Sequence, residues 1–124
     1  MKDSLYFLAF VMAYMVASGG IVFNSVIMHE MAHAAIYRQL GNCNSTIIYQ
    51  FFKVDNFLLA QTVPENCSYP NAEYYAYAKV LNQENEIVGY NQQSTVFAIL
   101  VAGFFIFASI WFLASLLLRK EEPA

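Results

Sequence analysis

The sequence predicts a mainly α fold: two transmembrane helices with a small disulfide-bonded extracytoplasmic domain between them, helical with a β hairpin. Three observations predict it. Residues 4–28 and 95–118 carry no charged side chain. Each run is longer than the roughly 20 residues a helix needs to cross a bilayer. The chain is 59% hydrophobic and 12% charged over 124 residues, against a usual charged share of about 25%. A soluble domain of that size cannot bury so much apolar surface. Lastly, Cys43 and Cys67 both fall in the polar segment between the runs. A disulfide there suits an oxidising, extracytoplasmic compartment.

The elements follow in order. Residues 1–41 form the first span. A cleaved signal peptide ending near residues 16–19 (VASG) is disfavoured, because Asp3 weakens the basic start and the apolar run continues past Gly19. Gly19-Gly20 would kink the helix or admit a close neighbour. The helix carries on to Leu40, where Gly41 and Asn42 are stop residues and Arg38 suits the dipole of the last turn. Residues 42–94 form the outer domain. Residues 46–54 (TIIYQFFKV) and 57–63 (FLLAQTV) are β-branched and aromatic, and Asp55-Asn56 would turn a hairpin between them. Residues 64–70 read as a loop. Asn71 is a helix N-cap with Glu73 in the first turn, and a helix follows to about Val88. Residues 95–118 form the second span, and 119–124 a short tail. No internal repeat or low-complexity tract is present.

Net charge is −3 and the six Lys and Arg form no cluster, which excludes a nucleic-acid footprint. Basic residues divide almost evenly between the two sides of the spans. The cysteines decide the orientation, with both termini cytoplasmic and the middle segment outside. Two sequons, beginning at Asn44 and Asn66, are glycosylation candidates in the same segment.

The chemistry lies in residues 29–33, His29-Glu30-Met31-Ala32-His33, which include both histidines of the chain. Four residues apart on a helix, the two imidazoles share a face and can meet one metal ion. Glu30 is then placed to take a proton from metal-bound water. Histidines and a glutamate at the end of an apolar span are costly to place without a purpose. A catalytic zinc ion needs three protein ligands and an open position. The acidic candidates for the third are Asp55, Glu65, Glu73, Glu84 and Glu86. Glu86 is favoured, in or just after the helix that starts at Asn71. Glu84 points about 200° away around that helix. Tyr90, one turn beyond Glu86, is the expected donor to a developing oxyanion, with Asn91 as its neighbour.

With the later Asn85-Glu86, the motif resembles the gluzincin metallopeptidases. That resemblance implies one zinc ion on His29, His33 and Glu86, with Glu30 as general base and a peptide or membrane-protein substrate. The stretch HEMAHAAIYRQLG also resembles the first active-site helix of the site-2 proteases, including Ala34, Arg38 and Gly41. Those enzymes take an Asp from a later transmembrane helix, and the second span here contains no Asp, Glu or His. The motif, the cysteine pair and the segment NEIVGY also resemble small archaeal membrane proteins of uncharacterised function.

A Cys43–Cys67 bond would close a loop of about 25 residues, worth about 3 kcal/mol in the loop-entropy model. It would hold the motif helix against the Glu86 helix, or only stabilise the outer domain. Two other readings stand beside the peptidase. Glu30-x-x-His33 is also the di-iron bundle pattern, but a single copy requires a dimer. A non-catalytic metal-binding accessory subunit of a larger membrane complex is the main alternative, and a homo-oligomer is compatible with both.

Overall fold

The computed structural model describes residues 2–50 and 60–119. Two long helices run antiparallel with a small hairpin beside the end where they are joined. Helix α1 spans Lys2–Gly41, strand β1 Asn44–Tyr49, strand β2 Ala60–Glu65 and helix α2 Ala72–Arg119. This is the predicted class, and α1 ends where Gly41 and Asn42 were expected to stop it. Asn42 takes φ 45°, a left-handed conformation that Asn tolerates at a helix end. The Cys43 N–H then reaches back to the Tyr37 carbonyl, 3.2 Å away.

The expected N-cap also forms. Asn71 Oδ1 accepts the Tyr74 N–H at 3.0 Å and satisfies one of the free donors of the first turn. The hairpin pairs antiparallel, from Asn44 opposite Glu65 to Tyr49 opposite Ala60. Its expected turn, Asp55-Asn56, lies outside the described residues.

Three expectations change. Strand β2 runs through Pro64 and Glu65, which the sequence assigns to a loop. Proline is tolerated in a strand whose N–H side makes no ladder bond. Residues 89–94 do not interrupt α2, so the outer helix and the second span are one 48-residue helix. The polar side chains there bond within the helix: Ser94 Oγ and Thr95 Oγ1 both donate to the Asn91 carbonyl, at 3.0 and 2.8 Å. Gly19 and Gly20 lie within continuous helix, and a side chain added at either would meet nothing within 4 Å. The close approaches of the two helices lie elsewhere.

Phe7 packs on Trp111, Phe10 on Phe107, Tyr14 against Gly103 and His29 against Gly89. Each pair of numbers sums to 117 or 118, so the two helices stay in one register along this length. Both helices are long and apolar enough to cross a membrane, and their most apolar windows are uncovered within the chain. Among the described residues, the buried ones cluster towards the other end: Val26, Glu30, His33, Gly41, Cys43, Ala60, Ala78 and Gly89. The register sets Thr95, where the second apolar run begins, opposite Phe23. On α1 the first polar pair, Asn24-Ser25, follows at once. The level of Gly89 and His29 is six residues beyond Thr95, or about 9 Å at 1.5 Å per residue. The buried cluster therefore lies just past the edge of the apolar zone.

Cys43 and Cys67 are joined in a disulfide. The Ser68 N–H donates to the Gly41 carbonyl at 2.7 Å. Together these pin the connection between β2 and α2 onto the end of α1.

Candidate metal centre

The cluster is assembled from one turn of α1 and two turns of α2. His29 and His33 face α2, with side chains only 10% and 8% exposed. Their rings meet edge to face, with centroids 4.7 Å apart. The two Nε2 atoms are 3.2 Å apart. Glu86 Oε2 lies 3.5 Å from His29 Nε2, and Oε1 lies 3.2 Å from His33 Nε2. Four ligands at about 2.1 Å in a tetrahedral array stand roughly 3.4 Å from one another. The three observed separations match that spacing, so His29, His33 and Glu86 form a group able to hold a metal ion.

The protonation pattern supports the fit. Asn82 Nδ2 donates to the Ala78 carbonyl at 2.9 Å, which leaves Asn82 Oδ1 as an acceptor. His33 Nδ1 lies 2.6 Å from that oxygen and must carry its proton towards it. In neutral His33 the lone pair therefore sits on Nε2, aimed at His29 and Glu86. His29 Nε2 stands 3.2 Å from that nitrogen, and the tautomer of His29 sets whether it donates there. Asn82 thus supplies the outer hydrogen bond that orients a metal-ligating histidine.

Two further contacts hold the elements together. Asn85 Nδ2 donates to the His29 carbonyl at 3.3 Å. At Gly89 a Cβ would overlap the His29 ring, reaching 3.0 Å from its Cγ. Only glycine lets the ring lie against the α2 backbone.

Glu30 is 7% exposed and meets β2. The Thr62 hydroxyl lies 2.7 Å from Glu30 Oε2 and 2.9 Å from the Glu30 carbonyl, sharing its one proton between them. Glu30, His33 and Glu86 open onto a cavity of about 680 Å³, walled also by Thr62, Tyr37 and Tyr69. Glu86 is 48% exposed on its side chain, so the metal position is reachable from that cavity.

The remaining sequence candidates among the described residues lie apart from this group. Glu84 is exposed. Glu73 lines a separate groove beside Leu40 and Tyr74. Glu65 sits at the end of β2, opposite Asn44. Asp55 lies outside the described residues. Tyr90 is 63% exposed and does not line the cavity. Asn91 is exposed and does not line the cavity either. Asn44 and Asn66 are both exposed.

Sequence reasoning missed Asn82, Thr62, Gly89 and Tyr37. Asn82 and Gly89 carried a usable signal, lying four residues before and three after Glu86 on a helix and so beside it in space. Thr62 carried none, since its role depends on where the hairpin docks. No family model, no curated protein and no solved structure matches this chain.

Proposed function

We propose that the chain is a membrane zinc metallopeptidase, hydrolysing peptide bonds at the outer face of the bilayer. The observation that carries this reading is the convergence of His29, His33 and Glu86 beside a buried Glu30, with Glu30, His33 and Glu86 lining a cavity of about 680 Å³. His29, His33 and Glu86 would hold a zinc ion, which would make water acidic enough to be deprotonated near neutral pH. Glu30, steadied by Thr62, accepts the proton of the attacking water and returns it to the leaving amine. Asn82 holds His33 in the tautomer that presents Nε2. The position of the cluster just past the apolar zone suits substrate segments emerging from the bilayer. The Cys43–Cys67 disulfide and the exposed Asn44 and Asn66 support an outer location, with both termini in the cytoplasm.

Glu30→Gln tests the reading in the purified chain. Zinc content is expected to stay at one ion per chain, and peptide hydrolysis to fall by roughly 10²–10⁴-fold. Equal turnover by the variant and the wild type would rule the mechanism out. The accessory-subunit alternative predicts a different outcome: one zinc ion per chain, no hydrolysis by the wild type, and recovery with large membrane partners.

A further inference from the structure

We infer that Tyr37 is the side chain that donates a hydrogen bond to the oxygen on which charge develops during hydrolysis. The inference rests on the reading of the cluster as a hydrolytic metal centre. Glu30, His33 and Tyr37 are spaced i, i+3 and i+7 along α1, which places them in one stripe. Long side chains on a helix lean back towards its N-terminus, over the preceding turn. The Tyr37 ring therefore leans over the turn of His33. It lines the same cavity as Glu30, His33 and Glu86.

Tyr69 and Tyr75 line the same cavity with their rings edge to face, 5.2 Å apart. The Tyr69 hydroxyl lies 3.9 Å from Cys43 Sγ, so the disulfide backs this aromatic wall. Tyr37 also lies nine residues past Met28, the end of the first uncharged run, outside the apolar zone. Burial, followed by the neighbouring Tyr69 and then Glu86 and Glu30, pushes its phenol above the usual tyrosine range. A protonated phenol both donates and accepts, and its O–H, held in a half-buried position beside the reacting carbon, is a donor to a developing oxyanion.

Tyr90 is the rival. The same backward lean sets it over the turn of Glu86, but its ring faces out, 63% exposed. It does not line the cavity, and a donor in bulk water gives little differential stabilisation.

The test uses the zinc-loaded full chain in detergent, with methylphosphonate as probe, because its tetrahedral oxygens mimic the hydrolytic intermediate. Zinc affinity and methylphosphonate affinity are measured by titration for the wild type, Tyr37→Phe and Tyr90→Phe. Tyr37→Phe is expected to bind zinc as the wild type does and methylphosphonate at least tenfold more weakly. Where a peptide substrate is turned over, kcat for Tyr37→Phe should fall by roughly 10²–10³-fold with KM nearly unchanged. The inference is overturned if Tyr37→Phe binds the probe as tightly as the wild type, if Tyr90→Phe alone weakens it, or if Tyr37→Phe loses zinc. A chain that takes up no zinc overturns the metal centre itself, and a zinc-loaded wild type that binds no methylphosphonate overturns only the oxyanion site.

Discussion

The apolar and polar halves of the helix pair use one steric device for opposite ends. Gly103 and Gly89 lie fourteen residues apart on α2, two heptads and hence the same face of a supercoiled pair. Each admits a ring from α1. At Gly103 a Cβ would stand 2.8 Å from the Tyr14 hydroxyl, and at Gly89 it would overlap the His29 ring. In the apolar half, the Tyr14 hydroxyl donates to the Leu100 carbonyl at 2.6 Å. Phe10 and Phe104 close in from either side. Its polar atom is satisfied inside the pair, so the contact only locks register. In the polar half, the ring nitrogens of His29 and His33 converge with Glu86. His29 Nε2 meets His33 Nε2 at 3.2 Å and Glu86 at 3.5 Å, in a group able to hold a metal ion. What separates packing from chemistry here is whether the admitted ring ends on a backbone carbonyl or on further ligating side chains.

Four substitutions sharpen or break this contrast. The largest effect is expected at Gly89. Gly89→Ala displaces the His29 ring and should weaken zinc binding by a hundredfold or more. Gly103→Ala should leave zinc affinity within about twofold, while overpacking lowers stability by roughly 1–3 kcal/mol. Parallel zinc titrations and thermal melts decide it, and loss of zinc binding in Gly103→Ala rather than Gly89→Ala would reverse the assignment.

A middle effect is expected at Asn82. Asn82→Leu keeps the volume and removes the acceptor from His33 Nδ1, and metal affinity should drop by roughly 10–100-fold. An unchanged affinity would mean that the tautomer of His33 is set by something else. The smallest effect is expected at Tyr14. Tyr14→Phe removes one buried hydrogen bond between spanning helices, worth about 0.6 kcal/mol. Melting should move slightly and zinc binding not at all.

Much of the fold was legible in the sequence because it depends on local pattern. Uncharged runs set the two long helices, Asn71 set the start of α2, and Asn42 set the end of α1. Alternating β-branched residues set the hairpin, although its turn lies outside the described residues. The helix end expected near Val88 did not form, and Gly19-Gly20 meet no close neighbour. A glycine inside a helix costs about 1 kcal/mol relative to alanine, too little to interrupt a helix that packs along its length. Pro64 read as loop, because a single sequence does not reveal which strand edge carries no ladder bond.

The candidate site was half legible for a related reason. His29, Glu30 and His33 are four residues apart or fewer on one helix, so helical periodicity alone aligns them. Glu86 was favoured from the later helix, and the structure brings its carboxylate within 3.2 Å of His33 Nε2 and 3.5 Å of His29 Nε2. Tyr90 was chosen from its spacing to Glu86, but spacing on one helix does not say which side the partner helix covers.

By itself, the sequence determined two helices able to span a membrane, a cysteine pair suited to an oxidising compartment and a histidine motif at the end of the first apolar run. Those features arise from hydropathy and from contacts within a few residues, where the chain's own geometry leaves little choice. Only the tertiary structure decided that α2 is continuous, that its register sets Gly89 against His29, and that Thr62 of β2 reaches Glu30. It also decided that Tyr37, rather than Tyr90, lines the cavity. Each of these joins residues thirty or more positions apart or depends on which face is covered, and packing between elements, not periodicity within one, sets such contacts.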